Sequence, residues 1–172
     1  MSLFNTNNFE RQGNTDNDQH LQTTEDVCNA IINLSETPLR SIKIFTPDLE
    51  RHLYDNEALR KNMLSFIRGN RHAQIQILVN DLTDALNHGH MLLRLAQHIT
   101  SSMKIKIIHE DYTGTNASFI TFDQSDFIFK ADSSKQDAFQ SSCKNRNLKL
   151  TEFFISVWEQ AEIASQSKQF RI

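Results

Sequence analysis

Histidines and carboxylates able to do acid–base or ligand-binding chemistry occur at several points along the chain, most of them just after an apolar run. The residues we single out are Asp48, Asp81, His90, His109, Glu110 and Asp111. A histidine that faces a carboxylate can transfer protons, and free N–H groups at a helix start beside His90 can hold an anion. Polar residues also collect wherever loops leave strands, so a purely structural interpretation stays open. We expect these residues to line a ligand-binding crevice, and we assign no catalytic residue.

Metal binding is a second use that the histidines suggest. His88 and His90 flank a glycine, and His98 and His109 follow further along the chain. On a helix, side chains two positions apart point in different directions, although an extended loop could bring them together. No cysteine or closely spaced histidine pair completes a tetrahedral set of ligands. We therefore predict no metal and no cofactor.

Alternating helix and strand patterns provide the framework that must position these residues. Thr23 is a typical N-cap, and the helically spaced apolar residues after it predict a first helix. Later patterns predict strands at 41–45, 74–79 and 104–108, and helices from 55 or 56 to 68 and from 88 to 99. A hairpin of strands 118–122 and 127–130 and a helix at 148–161 end the pattern. We predict an α/β fold whose mixed sheet has parallel strands and then an antiparallel hairpin, flanked by helices.

This topology gives a reason for distant polar residues to share one site. In an open α/β sheet, ligands favour the crevice beyond the carboxyl ends of the parallel strands. Asp48, Asp81 and His109 each follow a predicted parallel strand. We expect their loops to meet at that edge.

The composition is that of an ordinary globular protein, with 172 residues, 38% of them hydrophobic, and a formal net charge of -3. Such a mildly acidic chain has no general attraction to nucleic acid or to anionic membranes, and we expect neither as a partner. No stretch approaches the ~20 apolar residues of a membrane span, and no secretory signal follows Met1. Cys28 and Cys143 lack the spacing of a redox motif. We therefore expect a soluble, cytoplasmic protein with reduced thiols.

The N-terminal segment differs from the rest of the chain. Residues 1–22 are rich in Asn, Gln, Asp and Thr and contain few apolar side chains. A segment of this kind buries too little surface to offset the entropy cost of ordering it. We predict a disordered tail over residues 1–22 and one α/β domain over residues 23–172.

The order of elements resembles one half-unit of the phospholipase D-like superfamily. The matching pieces are residues 42–47, residues 74–79, and the aromatic residues Phe153, Phe154 and Trp158 of the last helix. More narrowly, the chain resembles a bacterial group of such domains through residues 45–48, 53–55, 89–90 and 108–111. The resemblance covers roughly residues 25–165 and implies the phospholipase D-like fold. Because related proteins with one half-unit commonly pair two copies, it also implies a homodimer.

The chain departs from this superfamily at its catalytic motif, His-x-Lys-x-x-x-x-Asp. Aligning the motif aspartate with Asp123 puts Asn116 at the nucleophilic histidine and Ser118 at the phosphate-binding lysine. The family's following Gly-Ser pair is replaced by Lys130 and Ala131. Asparagine cannot form the phospho-histidine intermediate, and serine cannot supply the positive charge. The residues therefore do not support the family's usual reaction.

Three functions remain open at this point. The first is a non-catalytic binding or interaction module whose ligand contains a phosphate group. The second is a phosphoesterase-type enzyme with a relocated site around His90 and His109. The third is a structural partner subunit. Of these we expect the first, because the catalytic motif is degenerate.

Overall fold

The computed structural model describes residues 5, 6, 9, 18–37 and 39–164. Within them the strands are β1 (Gln19–Leu21), β2 (Ser41–Thr46), β3 (Gln74–Val79), β4 (Met103–Ile107), β5 (Ser118–Phe122), β6 (Asp126–Lys130), β7 (Ala138–Ser141) and β8 (Glu162–Ile163). The helices are α1 (Thr24–Ser35), α2 (Arg51–Tyr54), α3 (Glu57–Gly69), α4 (Thr83–His88), α5 (Met91–His98) and α6 (Lys144–Gln160). A turn of 3-10 helix spans Glu110–Tyr112.

The strands form one mixed sheet in the order β1-β7-β6-β5-β2-β3-β4-β8. β2, β3 and β4 are parallel to one another. All other pairings are antiparallel, including the β5–β6 hairpin and its contact with β2. The predicted α/β fold, with parallel strands followed by an antiparallel hairpin, is therefore confirmed.

The core lies on both faces of the sheet, because side chains alternate between the faces along each strand. In β2, Ile42 and Ile44 belong to the cluster on the side of α1, α3 and α5. Phe45 belongs to the opposite cluster, which contains Leu150 and Phe154 of α6. Both faces are thus covered at the carboxyl ends of β2 and β3, where apolar residues follow one another without alternation, as in Ile77-Leu78-Val79.

The sequence analysis missed three short strands, β1, β7 and β8, and one of them lies inside the predicted tail. β1 pairs with β7 and buries Leu21, so the predicted tail boundary at residue 22 is too late. Phe9 is also buried, with its ring 4.6 Å from that of Phe129. Asp18 forms an ion pair of 2.5 Å with Arg146 of α6. Residues 1–4, 7, 8 and 10–17 of the predicted tail lie outside the described residues.

Two predicted helices differ in their bounds for local reasons. The helix predicted at 88–99 begins later, as α5 at Met91, because Gly89 has a φ of 71° that is not helical; His88 instead ends the preceding helix α4. α6 begins at Lys144, earlier than predicted, although its first turn is polar. The reason is tertiary, since the buried side chain of Asn147 donates a hydrogen bond of 3.0 Å to the carbonyl oxygen of Asp126.

Asp123, the residue aligned with the motif aspartate, closes the β5–β6 hairpin against the start of β2. Its carboxylate accepts hydrogen bonds from the backbone N–H groups of Arg40 and Ser41, at 2.6 and 2.8 Å. Its own N–H donates to the Ser41 carbonyl oxygen at 2.9 Å. A φ of 51° at this position is a left-handed conformation that Asp and Asn tolerate better than most residues. Asp123 therefore fixes the register between the hairpin and β2.

We predict that Asp123→Ala lowers the free energy of unfolding by about 2–4 kcal/mol, because two charge-assisted hydrogen bonds are lost and Ala is strained at this φ. Urea denaturation followed by circular dichroism measures the change. Asp123→Asn is the matched control, because it keeps an oxygen acceptor and tolerates the same φ, and it should cost about 1 kcal/mol. Equal losses for the two variants would contradict this role for the carboxylate.

Candidate functional site

Three polar side chains meet at one edge of the sheet. β2 ends at Thr46, and β5, which runs antiparallel to it, begins there with Ser118. β6 returns to the same edge and ends at Lys130, the cross-strand partner of Ser118. All three residues are buried. This is the carboxyl edge of the parallel strands, where ligand sites of open α/β sheets form.

A buried ion pair occupies this edge. The Nζ of Lys130 lies 3.0 Å from Oε1 of Glu50, and the two side chains are only 4% and 3% exposed. Lys130 also donates a hydrogen bond of 3.1 Å to the Ser133 carbonyl oxygen. The second oxygen of Glu50 accepts a hydrogen bond of 3.1 Å from the Thr46 hydroxyl. Such satisfied partners are what allow two charges to be buried together.

A strained turn presents Glu50 to the lysine. Leu49 and Glu50 have φ angles of 67° and 22°, and neither residue is glycine. The Asp48 carboxylate accepts a hydrogen bond of 2.9 Å from the Glu50 N–H, which helps to hold the turn. Left-handed conformations of buried non-glycine residues cost of order 1–3 kcal/mol and cluster at functional sites. The strain therefore makes this turn a candidate part of a functional site.

His90, one of the predicted ligand-binding residues, holds the strained turn through the backbone of Leu49. Its Nδ1 accepts a hydrogen bond of 3.2 Å from the Leu92 N–H and so caps α5. The proton is therefore on Nε2, which donates to the Leu49 carbonyl oxygen at 3.1 Å. Burial lowers the pKa of the His90 imidazole, and the nearby Asp55 carboxylate opposes that shift. The ring is neutral, and both of its nitrogens are engaged by the backbone.

The other predicted site residues lie at different places on the same edge. Asp48 borders an open cleft beside Glu50. Asp81 accepts hydrogen bonds from the N–H and hydroxyl of Thr83, at 2.8 and 2.6 Å, at the start of α4. The remaining three residues sit together on the 3-10 turn and are exposed, and none lines that cleft; they are His109, Glu110 and Asp111. In that group, Nδ1 of the histidine lies 3.4 Å from the aspartate carboxylate.

The cleft beside Glu50 has a volume of about 600 Å³ and a mixed set of charges. Its charged lining residues are Asp48, Glu50, Arg51, His52, Asp84 and Lys135. Arg51 is held in place by Asp55 at 2.5 Å, by the Gly89 carbonyl oxygen at 2.8 Å and by Asp84 at 3.6 Å. Ser133 and Ser134 add hydroxyl groups from the loop after β6. The cleft can therefore bind a polar ligand through charged and hydroxyl groups.

Sequence reasoning missed Glu50 as a site residue and noted Lys130 only as a departure from the family pattern. The usable signal was the lysine that ends the apolar run of β6, since a buried strand does not normally end in an unpaired charge. Nothing in the sequence identifies Glu50 as its partner, because 80 positions separate the two.

Within the part of the chain that the structure describes, no group of His, Cys, Asp and Glu side chains converges to hold a metal ion. Nor does any helix of these residues combine the length and apolar character needed to cross a bilayer.

We predict that Lys130→Met and Glu50→Gln each lower the free energy of unfolding by about 3–5 kcal/mol, because each leaves an uncompensated buried partner. The double variant should cost less than the sum of the two by at least about 1 kcal/mol. Chemical denaturation of all four proteins measures this coupling energy. Glu57→Gln, which breaks the exposed pair with Arg60, is the control and should change the free energy of unfolding far less than either buried substitution. Additive losses at Lys130 and Glu50 would show that the two side chains are not coupled.

The fold is similar to that of several solved structures. TrmBL2, an archaeal chromatin protein with a novel mode of DNA binding, matches with 12% identity and a TM-score of 0.63, over 89% of this chain and 56% of that one. NucT from Helicobacter pylori matches with 11% identity and a TM-score of 0.64, over 85% of this chain and 98% of NucT. Nuc from Salmonella typhimurium, a phospholipase D family member, matches with 8% identity and a TM-score of 0.59, over 85% of this chain and 97% of Nuc.

These likenesses confirm the predicted phospholipase D-like fold. They also correct one expectation, that nucleic acid is not a partner, because TrmBL2 shares this fold and is a DNA-binding chromatin protein. The chain spans only about half of TrmBL2, at 56% of its length.

A comparison with curated proteins gave no match. The family described as "Domain of unknown function (DUF7931)" matches residues 23–170, which is nearly the whole domain. The chain therefore belongs to this family, and its fold is that of the phospholipase D-like superfamily.

Proposed function

We propose that this protein is a non-catalytic binding module of the phospholipase D-like fold, and that its ligand carries a phosphate group. The observation that carries the proposal is the buried pair of Lys130 and Glu50. In active members of the phospholipase D-like superfamily, the motif lysine is free to hold phosphate oxygens. Here the lysine stands on the neighbouring strand, opposite Ser118, and an internal carboxylate already neutralises it. A lysine engaged in this way cannot stabilise the charge of a phosphoryl transition state.

Within the described residues, no oriented nucleophile or base lies beside the pair. Asn116 stands at the position that the alignment gives to the motif histidine. Its backbone carbonyl oxygen accepts a hydrogen bond of 2.8 Å from the Ser133 N–H. His52 does line the cleft, but within the described residues no carboxylate hydrogen-bonds to it. A histidine base normally needs such a partner to fix its tautomer and orientation. These features favour binding over turnover.

The cleft has the groups that a phosphate-containing ligand requires. Arg51, His52 and Lys135 can donate charge-assisted hydrogen bonds to phosphate oxygens. The carboxylates of Asp48 and Asp84 balance the positive charges of Arg51 and Lys135, which favours a single phosphate on a polar ligand over a polyphosphate. A nucleic acid strand and a small phosphate ester both carry such a phosphate group. Nucleic acid is kept as a candidate ligand because TrmBL2, which has a similar fold, binds DNA. We place the module in the cytoplasm, as the sequence predicts.

The other two functions are weaker on the same grounds. A relocated phosphoesterase site would need His90 and His109 to act together. His90 is buried with both ring nitrogens engaged, and His109 does not line the cleft. A purely structural subunit would bind no phosphate-containing ligand at all. A ligand screen therefore distinguishes it from a binding module.

We predict that the purified protein does not hydrolyse bis(p-nitrophenyl) phosphate or a fluorescent single-stranded oligonucleotide. Release of p-nitrophenol and cleavage of the oligonucleotide measure the two reactions. Turnover that is lost in His109→Ala or His90→Ala would overturn the non-catalytic assignment, because a positioned acid–base group contributes ~100- to 10,000-fold. Turnover lost only on changing Asn116 or Ser118 would show instead that the alignment of the hairpin is wrong.

We predict that at least one phosphate-containing ligand raises the melting temperature, because a ligand that binds only the folded state stabilises it by about 2.7 kcal/mol at a hundredfold excess over Kd. A thermal-shift screen should include inorganic phosphate, nucleotides, phospholipid head groups, and single- and double-stranded oligonucleotides. Lys135→Ala should remove the shift by taking away a cleft cation. Lys144→Ala, on the exposed start of α6, is the matched control and should keep it. A shift that survives Lys135→Ala would place the ligand elsewhere.

A further inference from the structure

A second groove, which shares no lining residue with the cleft, lies between α3 and α5. Its volume is about 510 Å³. The floor is apolar and is formed by Leu64 of α3, by Met91 and Leu95 of α5, and by Ile99 just after α5. Packed helices whose axes lie about 8–10 Å apart leave an elongated groove between them on their outer side. Such a groove can receive an elongated apolar surface.

Basic side chains form the rim of this groove. Arg60 and Arg68 of α3 lie on one side, and Arg94 of α5 lies on the other. Arg60 is neutralised by a two-pronged contact with Glu57, at 2.7 and 2.8 Å. Arg68 and Arg94 are exposed, and within the described residues neither forms an ion pair. The rim therefore keeps positive charge on a protein whose formal net charge is -3.

We propose that this groove binds an amphipathic helix of a partner protein whose apolar face is flanked by Asp and Glu. Charge complementarity selects the acidic flanks, because a guanidinium group binds a carboxylate through two parallel hydrogen bonds. The apolar floor selects the helix, which docks through side chains at positions such as i, i+4 and i+7. α5 has 8 residues and is about 12 Å long, so two to three turns of partner helix cover the groove.

A nucleic acid fits this surface less well. Single strands are held by aromatic side chains that stack on bases, and no Phe, Tyr or Trp lines the groove. A duplex backbone needs cations along a polar track, whereas the two unpaired arginines stand on either side of an apolar floor. The groove and the cleft beside Glu50 do not share a lining residue, so this inference stands apart from the proposed function.

The test is a display library of amphipathic helices of about 14 residues, a typical helix length, with leucines fixed on one face and the flanking positions randomised. Selection on the whole protein should recover peptides enriched in Asp and Glu at the flanks. A recovered peptide should bind Arg68→Glu and Arg94→Glu each about five- to tenfold more weakly, measured by fluorescence anisotropy, since reversal replaces attraction with repulsion. Lys144→Glu, an equal charge change on the opposite face of the sheet, should alter affinity by less than about twofold.

Three results would overturn the proposal. One is a selection that recovers no peptide, or recovers peptides without an excess of acidic residues. Another is equal loss of affinity in Lys144→Glu and in the groove variants, which would reflect net charge alone. The third is an oligonucleotide whose binding is lost in Arg68→Glu and Arg94→Glu while no acidic peptide binds. Thermal melts of each variant confirm that it is folded, and Arg68→Gln and Arg94→Gln provide milder variants of the same design.

Discussion

A charge buried inside a protein must be matched by an opposite charge, and that requirement organises the functional edge of this domain. Lys130 ends a strand in which it follows three buried apolar residues, Phe127, Ile128 and Phe129, so its amino group lies within the protein. Glu50 neutralises it, and the Thr46 hydroxyl and the Ser133 carbonyl oxygen complete their hydrogen bonds. Taking either charge away would leave the other without compensation in a medium that solvates it poorly. The path of the chain around this edge follows from that constraint.

The strained backbone before α2 is a consequence of the same pair. To reach Lys130, the chain turns back through two residues with positive φ, Leu49 and Glu50. The strain is sustained because the buried His90 holds the Leu49 carbonyl oxygen and Leu49 itself is fully buried. A histidine that looked like a ligand-binding group is thus part of the scaffold. The carboxylate that it helps to position is the buried partner of Lys130.

The two ends of the β5–β6 hairpin have separate roles. At the turn, Asp123 binds the start of β2 through backbone hydrogen bonds and keeps the sheet in register. At the open end, Asn116 and Ser118 stand at the positions that the sequence alignment assigns to the motif histidine and lysine, and Lys130 places a charge on the neighbouring strand. Because the structural aspartate and the reactive positions lie at opposite ends of the strand, one can be retained while the other changes.

The sequence by itself determined the α/β class, the parallel strands predicted at 41–45 and 74–79, and the hairpin with Asp123 at its turn, because these depend on local periodicity and turn chemistry. It could not show β1, β7 and β8, since two to four residues are too few to display a period, and β1 and β8 pair only with strands far away in the sequence. Nor could it show that Glu50 is the partner of Lys130, because that contact joins residues 80 positions apart. Only the tertiary structure separated His90 from His109 and divided the predicted crevice into a buried ion pair and an open cleft. Burial and pairing are properties of the packed chain, and residue type alone does not encode them.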